Sequence, residues 1–252
     1  MSPSEFIGLP KNYAAHGGNV DLLIDSIQWF MIILFVGWTL FFFYCLFRFA
    51  QRNNPKASYY GVRGHLSTHL EIAVVIVEAV LLLGLAFPLW KERVDTFDVV
   101  QAQDPARVRV VGWQFGWTYH YPGADGKFGN IDPRQIGGDN SLGIDKYDPN
   151  SADDFTSPIL RIPVDKPAVL NITSKDVIHN FAIVPMRIQQ DAIPGEEYPM
   201  WFTPIETMET FVICGQLCGE GHANMVGTME VIEQAEYQEW AAAQSKNALA
   251  AK

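Results

Sequence analysis

Two long apolar runs dominate the first third of the chain. Residues 26–47 contain no charged side chain over 22 positions, and residues 72–90 contain one, Glu78, over 19 positions. At about 1.5 Å per helical residue the first run is roughly 33 Å long, and both runs fall within the range of about 17–25 residues that crosses a bilayer. The pattern predicts a transmembrane hairpin of two helices, at about 26–49 and 70–90. A pair of buried core helices in a soluble protein is the alternative.

The basic residues predict the orientation of this hairpin. The link between the runs contains one acidic residue, Glu71, and four basic residues: Arg48, Arg52, Lys56 and Arg63. Basic residues concentrate in cytoplasmic loops, so we expect the link to be cytoplasmic. The N-terminus and everything after Trp90 then lie on the outer side, which is the periplasm in a bacterium.

After residue 93 the pattern changes to short β-rich runs separated by Gly, Pro, Asn and Asp. Such spacing is typical of a β-sandwich or barrel. Residues 123–157 form a long polar stretch, predicted to be an excursion on the surface, and the Ala- and Glu-rich segment 234–250 predicts a helix. We therefore expect a membrane part, 1–93, and an outer β domain, 94–252. The predicted strands are Arg107–Trp113, Trp117–Tyr121, Ala168–Thr173, Ile178–Val184, Tyr198–Phe202, Thr207–Cys214 and Met225–Ile232.

Composition narrows the functional classes. The chain has 252 residues, of which 48% are hydrophobic and 18% charged, and this balance excludes a disordered or fibrous protein. The formal net charge is −10, and the residues from 94 onward contain 22 acidic and 11 basic side chains, a net charge of −11. Nucleic-acid binding requires a basic face, so a nucleic-acid partner is not expected.

A cluster of soft metal ligands lies near the C-terminal end. The segment from Cys214 to Met225 reads Cys-Gly-Gln-Leu-Cys-Gly-Glu-Gly-His-Ala-Asn-Met and contains Cys218 and His222, while His179 lies upstream. Thiolate and thioether ligands select soft metals, and imidazole suits copper or zinc. Two thiolates can bridge two copper ions, each with one histidine and one weaker ligand. The third cysteine, Cys45, stands alone in an apolar run and is expected to be an inert thiol.

Two other interpretations of the cluster remain open. The Cys-x3-Cys-x3-His spacing is compatible with a structural zinc site formed by the two cysteines and two histidines, although this leaves Met225 without a role. In an oxidising compartment, Cys214 and Cys218 could instead form a disulfide. The remaining histidines have no ligand-like partners in the sequence and are expected at the surface or an interface: His16, His65, His69 and His120.

Taken together, these motifs resemble subunit II of the heme-copper cytochrome c oxidases. The resemblance includes the hairpin, the aromatic segment Gly112–Tyr121, the histidine motif Asp176–Phe181, the segment Asp191–Gly195 and the cysteine loop. It implies an all-β cupredoxin-like Greek-key outer domain with a dinuclear copper centre, CuA. The implied ligands are His179, Cys214, Cys218, His222, Met225 and the backbone carbonyl of Gln216.

The resemblance also implies a function. The centre would receive electrons from cytochrome c, or from a membrane-held cytochrome, and pass them to heme in subunit I, where oxygen is reduced to water. Glu71 matches the acid at the mouth of a proton-uptake channel into subunit I. Phe115 and Trp117 match the aromatic segment through which electrons enter. Alternation along a strand predicts that Trp113, Phe115 and Trp117 lie on one face of it. Glu196, Glu197 and Glu220 are candidate contacts for a basic cytochrome.

Three positions depart from the family pattern. Gln216 replaces a glutamate that binds a magnesium ion shared with subunit I, and an amide is a weaker ligand for a hard dication, which argues against that magnesium in its usual form. Phe115 replaces the usual tryptophan. Glu78 replaces a proline in the second membrane helix, and an ionisable residue there must face protein or water.

The copper ligands and the aromatic segment also discriminate between rival functions. A quinol oxidase subunit would have the fold without the copper ligands, whereas all of them are present here. A membrane-tethered copper chaperone would require an open, exchangeable site and no aromatic segment. A nitric oxide reductase with a CuA subunit remains an alternative, since the partner subunit determines the reaction. The sequence has no Cys-x-x-Cys-His, so a fused heme c domain is not expected.

Overall fold

A computed structural model describes residues 2–56, 59–61, 64–138 and 140–250. Arg63, one of the four basic residues that predict the orientation of the hairpin, lies outside the described residues. The chain divides into two units. One contains the apolar helices, and the other contains the residues from Thr96 onward together with the N-terminal segment Pro10–Gly18.

Both apolar runs are long helices, as predicted. A short helix, α1 (Pro3–Phe6), precedes α2 (Gly17–Phe49), and the second run is continuously helical through α3 (Leu66–Leu81), a π-helical turn (Leu82–Ala86), α4 (Phe87–Asp95) and α5 (Phe97–Gln101). None of the most apolar window of either helix is buried within the chain. This exposure excludes the alternative of buried core helices and fits helices that face lipid or partner chains.

The remaining elements form a β domain followed by one helix. The strands are β1 (Ala106–Trp113), β2 (Gly116–Tyr121), β3 (Phe155–Ser157), β4 (Ile159–Pro163), β5 (Ala168–Ser174), β6 (His179–Ile183), β7 (Ile188–Ala192), β8 (Tyr198–Phe202), β9 (Met208–Cys214) and β10 (Val226–Ile232). Helix α6 (Gln234–Ala250) follows, as predicted. All seven predicted strands are present, each within two residues of its expected bounds.

The strands form two five-stranded sheets with the orders β3-β2-β1-β5-β8 and β4-β10-β9-β6-β7. Pairing is parallel between β1 and β5 and between β4 and β10, and antiparallel elsewhere. In β1, Val108 and Val110 point into the core while Arg107 and Arg109 point outward, because successive residues of a strand face opposite sides. The expected fold class, long apolar helices followed in the chain by an all-β, cupredoxin-like domain, is confirmed.

The polar stretch 123–157 differs from the expectation at its end. Its last three residues are strand β3, which pairs with β2 and buries Phe155 against the core. The preceding residues include two short 3-10 turns, Pro133–Gln135 and Pro149–Ser151, each capped by an aspartate side chain. Asp153 and Asp154 are buried, so this segment is not wholly a surface excursion.

The N-terminal segment packs within the β unit. Backbone hydrogen bonds join Tyr13 to Pro185 and to Ile205, and Ala15 to Thr203. Ala14 is fully buried among the core side chains. The residues just before the first apolar helix are therefore part of the same folded unit as the β domain.

Candidate metal centre

Three neighbouring segments bring the soft ligands together. His179 begins β6, Cys214 ends β9, and Met225 directly precedes β10. Strands β6 and β9 pair with Phe181 opposite Cys214, so the histidine and the first cysteine meet at the same end of the sheet. The backbone N–H of Cys214 donates to the carbonyl of Met225 at 3.3 Å and closes the loop between β9 and β10.

The donor atoms of this loop converge on one point. Among the described residues, His179, Cys214 and Cys218 form a group whose ligand atoms lie within 4.8 Å of one another. The Cys214 Sγ is 3.9 Å from the His179 Nδ1, 3.9 Å from the Cys218 Sγ and 3.1 Å from the carbonyl oxygen of Gln216. The Cys218 Sγ is 3.7 Å from both the His222 Nδ1 and the Met225 Sδ.

This geometry fits a soft metal held by two sulfurs. Both cysteines are free thiols, so the disulfide alternative does not describe this structure. Metal–thiolate bonds are about 2.3 Å long, and sulfurs 3.9 Å apart are close enough for one ion to contact both. The Met225 side chain is 1% exposed and directs its sulfur toward Cys218, a contact that a four-ligand zinc site would not use.

Asp176 orients the histidine. Its Oδ1 accepts a hydrogen bond from the Nε2 of His179 at 2.8 Å, which leaves Nδ1 to face Cys214. Burial raises the pKa of Asp176, but hydrogen bonds from His179 and from the backbone of Gln114 and Val177 outweigh it, so the net pKa lies below the ordinary value. Asp176 is therefore a carboxylate at neutral pH, which fixes the tautomer of its histidine partner.

Without metal, the Cys218 thiol holds its proton. Burial, and then the neighbouring Cys214, raise the pKa of the Cys218 thiol to about 11. Thiolates are the metal-binding form, so a metal that binds here must displace protons and compensate for this burial.

Comparison with known proteins identifies the family. Residues 106–232 match the family described as "Cytochrome C oxidase subunit II, periplasmic domain". The "Alternative cytochrome c oxidase subunit 2" of Bradyrhizobium diazoefficiens is 31% identical, with 90% of this chain and 80% of that protein covered. The chain belongs to the cytochrome c oxidase subunit II family. It is a membrane subunit of an oxidoreductase, the heme-copper oxidase.

A further relative and a solved structure are also similar to this chain. The "Cytochrome c oxidase subunit 2" of Cereibacter sphaeroides is 28% identical over 94% of this chain and 82% of that protein. The crystal structure of the periplasmic domain of subunit II of cytochrome oxidase from Bradyrhizobium japonicum is 28% identical, with a TM-score of 0.42 over 56% of this chain and 94% of that domain.

The aromatic side chains of this subunit II do not share one face of a strand. This result differs from the prediction made from alternation. Trp113 ends β1, and Gly116 begins β2, so Gln114 and Phe115 form the turn of a hairpin. Trp117 is buried and packs edge-on against His179, with ring centroids 5.9 Å apart, while Phe115 is 36% exposed at the tip. The expected shared face is wrong because a turn interrupts the strand.

His120 also differs from its expected position at a surface or interface. It is fully buried, and its Nε2 lies 2.7 Å from the Oδ2 of Asp154, which is buried as well. Arg109 donates to the Nδ1 of His120 at 3.2 Å and pairs with Glu197 at 3.0 Å. The partner Asp154 lies in the polar stretch, 34 residues away, so the sequence offered no local signal for the pair.

The other predicted residues are exposed in the isolated chain. Glu71 and Glu78 are exposed on α3, and Glu196 and Glu220 are exposed in loops of the β domain. Glu197 is engaged with Arg109 and with Asn171, whose side-chain amide donates to it at 2.6 Å. It is therefore less available for a partner than the two other glutamates.

Proposed function

We propose that the converged donors hold a dinuclear copper centre, CuA, and that this chain is the subunit through which electrons enter a respiratory cytochrome c oxidase. The ligands are His179, Cys214, Cys218, His222, Met225 and the backbone carbonyl of Gln216. The observation that carries the proposal is the pair of free thiols 3.9 Å apart, each beside a different histidine. Copper bound by these residues would supply one-electron redox chemistry at this site.

The chain's own residues prepare this site by excluding water and fixing orientation. His179, Cys214, Cys218 and Met225 are all at most 9% exposed. Burial keeps the donors in one arrangement and favours a permanent site over the exchangeable site of a copper chaperone. Asp176 keeps the His179 ring turned with Nδ1 toward the sulfurs.

Electrons are proposed to enter near Phe115. This ring is partly exposed and lies directly on the copper loop, since a Cβ at Gly221 would be 2.3 Å from its Cδ2 atom. Trp117 lies beneath, against His179. The donor is proposed to be a basic cytochrome c, which the net charge of −11 beyond residue 93 would attract.

The proposed acceptor is heme in the oxidase's subunit I, which would also cover the exposed carboxylates of the second membrane helix. Glu71 is proposed as the mouth of a proton-uptake route on the cytoplasmic side. This orientation places the N-terminus and the β domain in the periplasm, with the membrane part ending near residue 93. The packing of Pro10–Gly18 within the β unit supports a common side for both.

A magnesium ion shared with subunit I is not part of the proposal in its usual form. Gln216 presents its backbone carbonyl to Cys214, and its side chain is an exposed amide. An amide oxygen lacks the charge with which a carboxylate binds a hard dication.

The decisive test measures the copper content of the full chain and the hyperfine splitting in its electron paramagnetic resonance spectrum. Two copper ions per chain are expected, and the mixed-valence state should give a seven-line electron paramagnetic resonance spectrum, because one electron is shared by two copper nuclei. Cys218→Ser should reduce the site to one copper ion or abolish it, whereas Cys45→Ser, which changes the distant thiol, should leave both. A four-line spectrum in the unmodified chain, or one zinc ion per chain, would contradict the proposal.

A further inference from the structure

The turn between β1 and β2 is hydrogen-bonded to both loops that carry the metal ligands. The backbone N–H of Gln114 donates to the Oδ2 of Asp176 at 2.7 Å, and its side-chain Nε2 donates to the carbonyl of Cys218 at 2.5 Å. The other oxygen of Asp176 accepts from His179. One residue outside the ligand set therefore connects the histidine loop to the cysteine loop.

The same turn carries the aromatic ring that lies on the cysteine loop. Ideal Cβ positions at Gly219 and Gly221 would lie 3.1 Å and 2.3 Å from atoms of the Phe115 ring. At Gly219 the nearest neighbour is the Nε2 of Gln114 itself, at 2.9 Å. The Phe115 ring and the Gln114 amide thus lie against adjacent parts of one backbone segment.

Packing in the hydrophobic core does not explain the position of the Gln114 side chain. Gln114 is exposed, so an apolar replacement of similar size leaves no cavity in the core and no buried polar group of its own. What such a replacement removes is the N–H donor to the Cys218 carbonyl, while the backbone bond to Asp176 stays. The amide donor is therefore separable from the fold.

We infer that Gln114 is a positioning residue, whose side-chain amide holds the cysteine loop against the β1–β2 turn and keeps Phe115 in contact with that loop. The inference rests on the proposed copper function for its consequence, the electron transfer. Its structural part concerns only this chain's own residues and does not require the metal.

The first test therefore uses the metal-free full chain. Cys218 is 5% exposed, and a looser loop should expose its thiol. One neutral hydrogen bond corresponds to a factor of roughly 3 to 10 in a local opening equilibrium. Gln114→Leu should accelerate alkylation of Cys218 by about that factor, measured by mass spectrometry of the cysteine peptides. Gln189→Leu, the same change at an exposed residue of β7, should not.

A donor-retaining variant separates the hydrogen bond from side-chain size. Gln114→Lys keeps an N–H group at the end of a flexible chain and should restore most of the protection of Cys218. Equal acceleration in the leucine and lysine variants, or no acceleration in the leucine variant, would overturn the inference.

The second test uses the copper-loaded oxidase. Gln114→Leu should retain its copper content and its melting temperature, shift the absorption spectrum of the centre, and slow its reduction by cytochrome c several-fold. An unchanged spectrum and rate would overturn the role in positioning. If the unmodified chain binds fewer than two copper ions, the proposed function fails, and the alkylation experiment still decides the role of Gln114.

Discussion

Gly221 offers a sharp test of the contact between Phe115 and the cysteine loop. Its backbone angles, φ −86° and ψ 6°, are accessible to alanine, so Gly221→Ala introduces no backbone strain. The added Cβ would lie 2.3 Å from the Cδ2 and 2.5 Å from the Cγ of Phe115. Carbon atoms pack at about 3.5 Å or more, so the ring or the loop must move by about 1.2 Å.

The size of the effect follows from this overlap. Forcing one extra methyl group into a packed contact costs about 1–3 kcal/mol. For a chain of this length, each kcal/mol lowers the melting temperature by about 2–4 °C, so we expect a decrease of roughly 2–12 °C. The control is Gly137→Ala, because a Cβ at that position meets no atom within 4 Å.

A double-mutant cycle attributes the cost to the ring. In a Phe115→Ala background the obstructing atoms are gone, so Gly221→Ala should cost almost nothing, and the coupling free energy should equal the cost of the single variant. Thermal unfolding of the copper-loaded full chain measures all four proteins. An equal cost of Gly221→Ala in both backgrounds would show that Phe115 does not lie on the loop as described.

Three further predictions address protons, electron donors and acid stability. Glu71→Gln should slow proton uptake by the assembled oxidase but not copper reduction, since an amide cannot relay protons; unchanged turnover and pH dependence would refute this. Reduction of the centre by a basic cytochrome c should slow steeply as salt rises, and Phe115→Ala should reduce this rate more than Trp113→Ala. Burial lowers the pKa of His120 against the opposing effect of Asp154, so the unfolded chain binds the proton more readily. Stability should therefore be full above about pH 6.5 and decline below it, and His120→Gln should flatten this decline in unfolding experiments.

The sequence predicts the fold where periodicity is strong. Arg107–Trp113 alternates valines with arginines, and the structure has β1 there with Val108 and Val110 buried. Strand β7 was missed because its centre, Gln-Gln-Asp, is polar on an edge strand of its sheet. Strand β3 was missed because three residues are too few for any periodicity to be read.

The proposed ligand set can be read from the sequence because most of it is local. Four donors lie within twelve residues, and such a spacing can be read without knowing the fold. The residues that orient these donors are different. Gln114 reaches Asp176 across 62 residues and Cys218 across 104, and these contacts exist only because the sheet that contains β1 and β2 packs against the sheet that contains β6, β9 and β10. An exposed glutamine carries no local signal of that role.

The hairpin turn explains both the failed prediction and the arrangement of the site. Alternation placed Trp113, Phe115 and Trp117 on one face, but the two-residue turn pairs Trp113 with Gly116 and Gly112 with Trp117. Trp117 is thereby turned into the core against His179, and Phe115 projects from the tip onto Gly221. A continuous strand would hold both rings on one surface. The turn instead places the Trp117 ring against His179 and the Phe115 ring between the cysteine loop and solvent, an arrangement that fits the electron path proposed above.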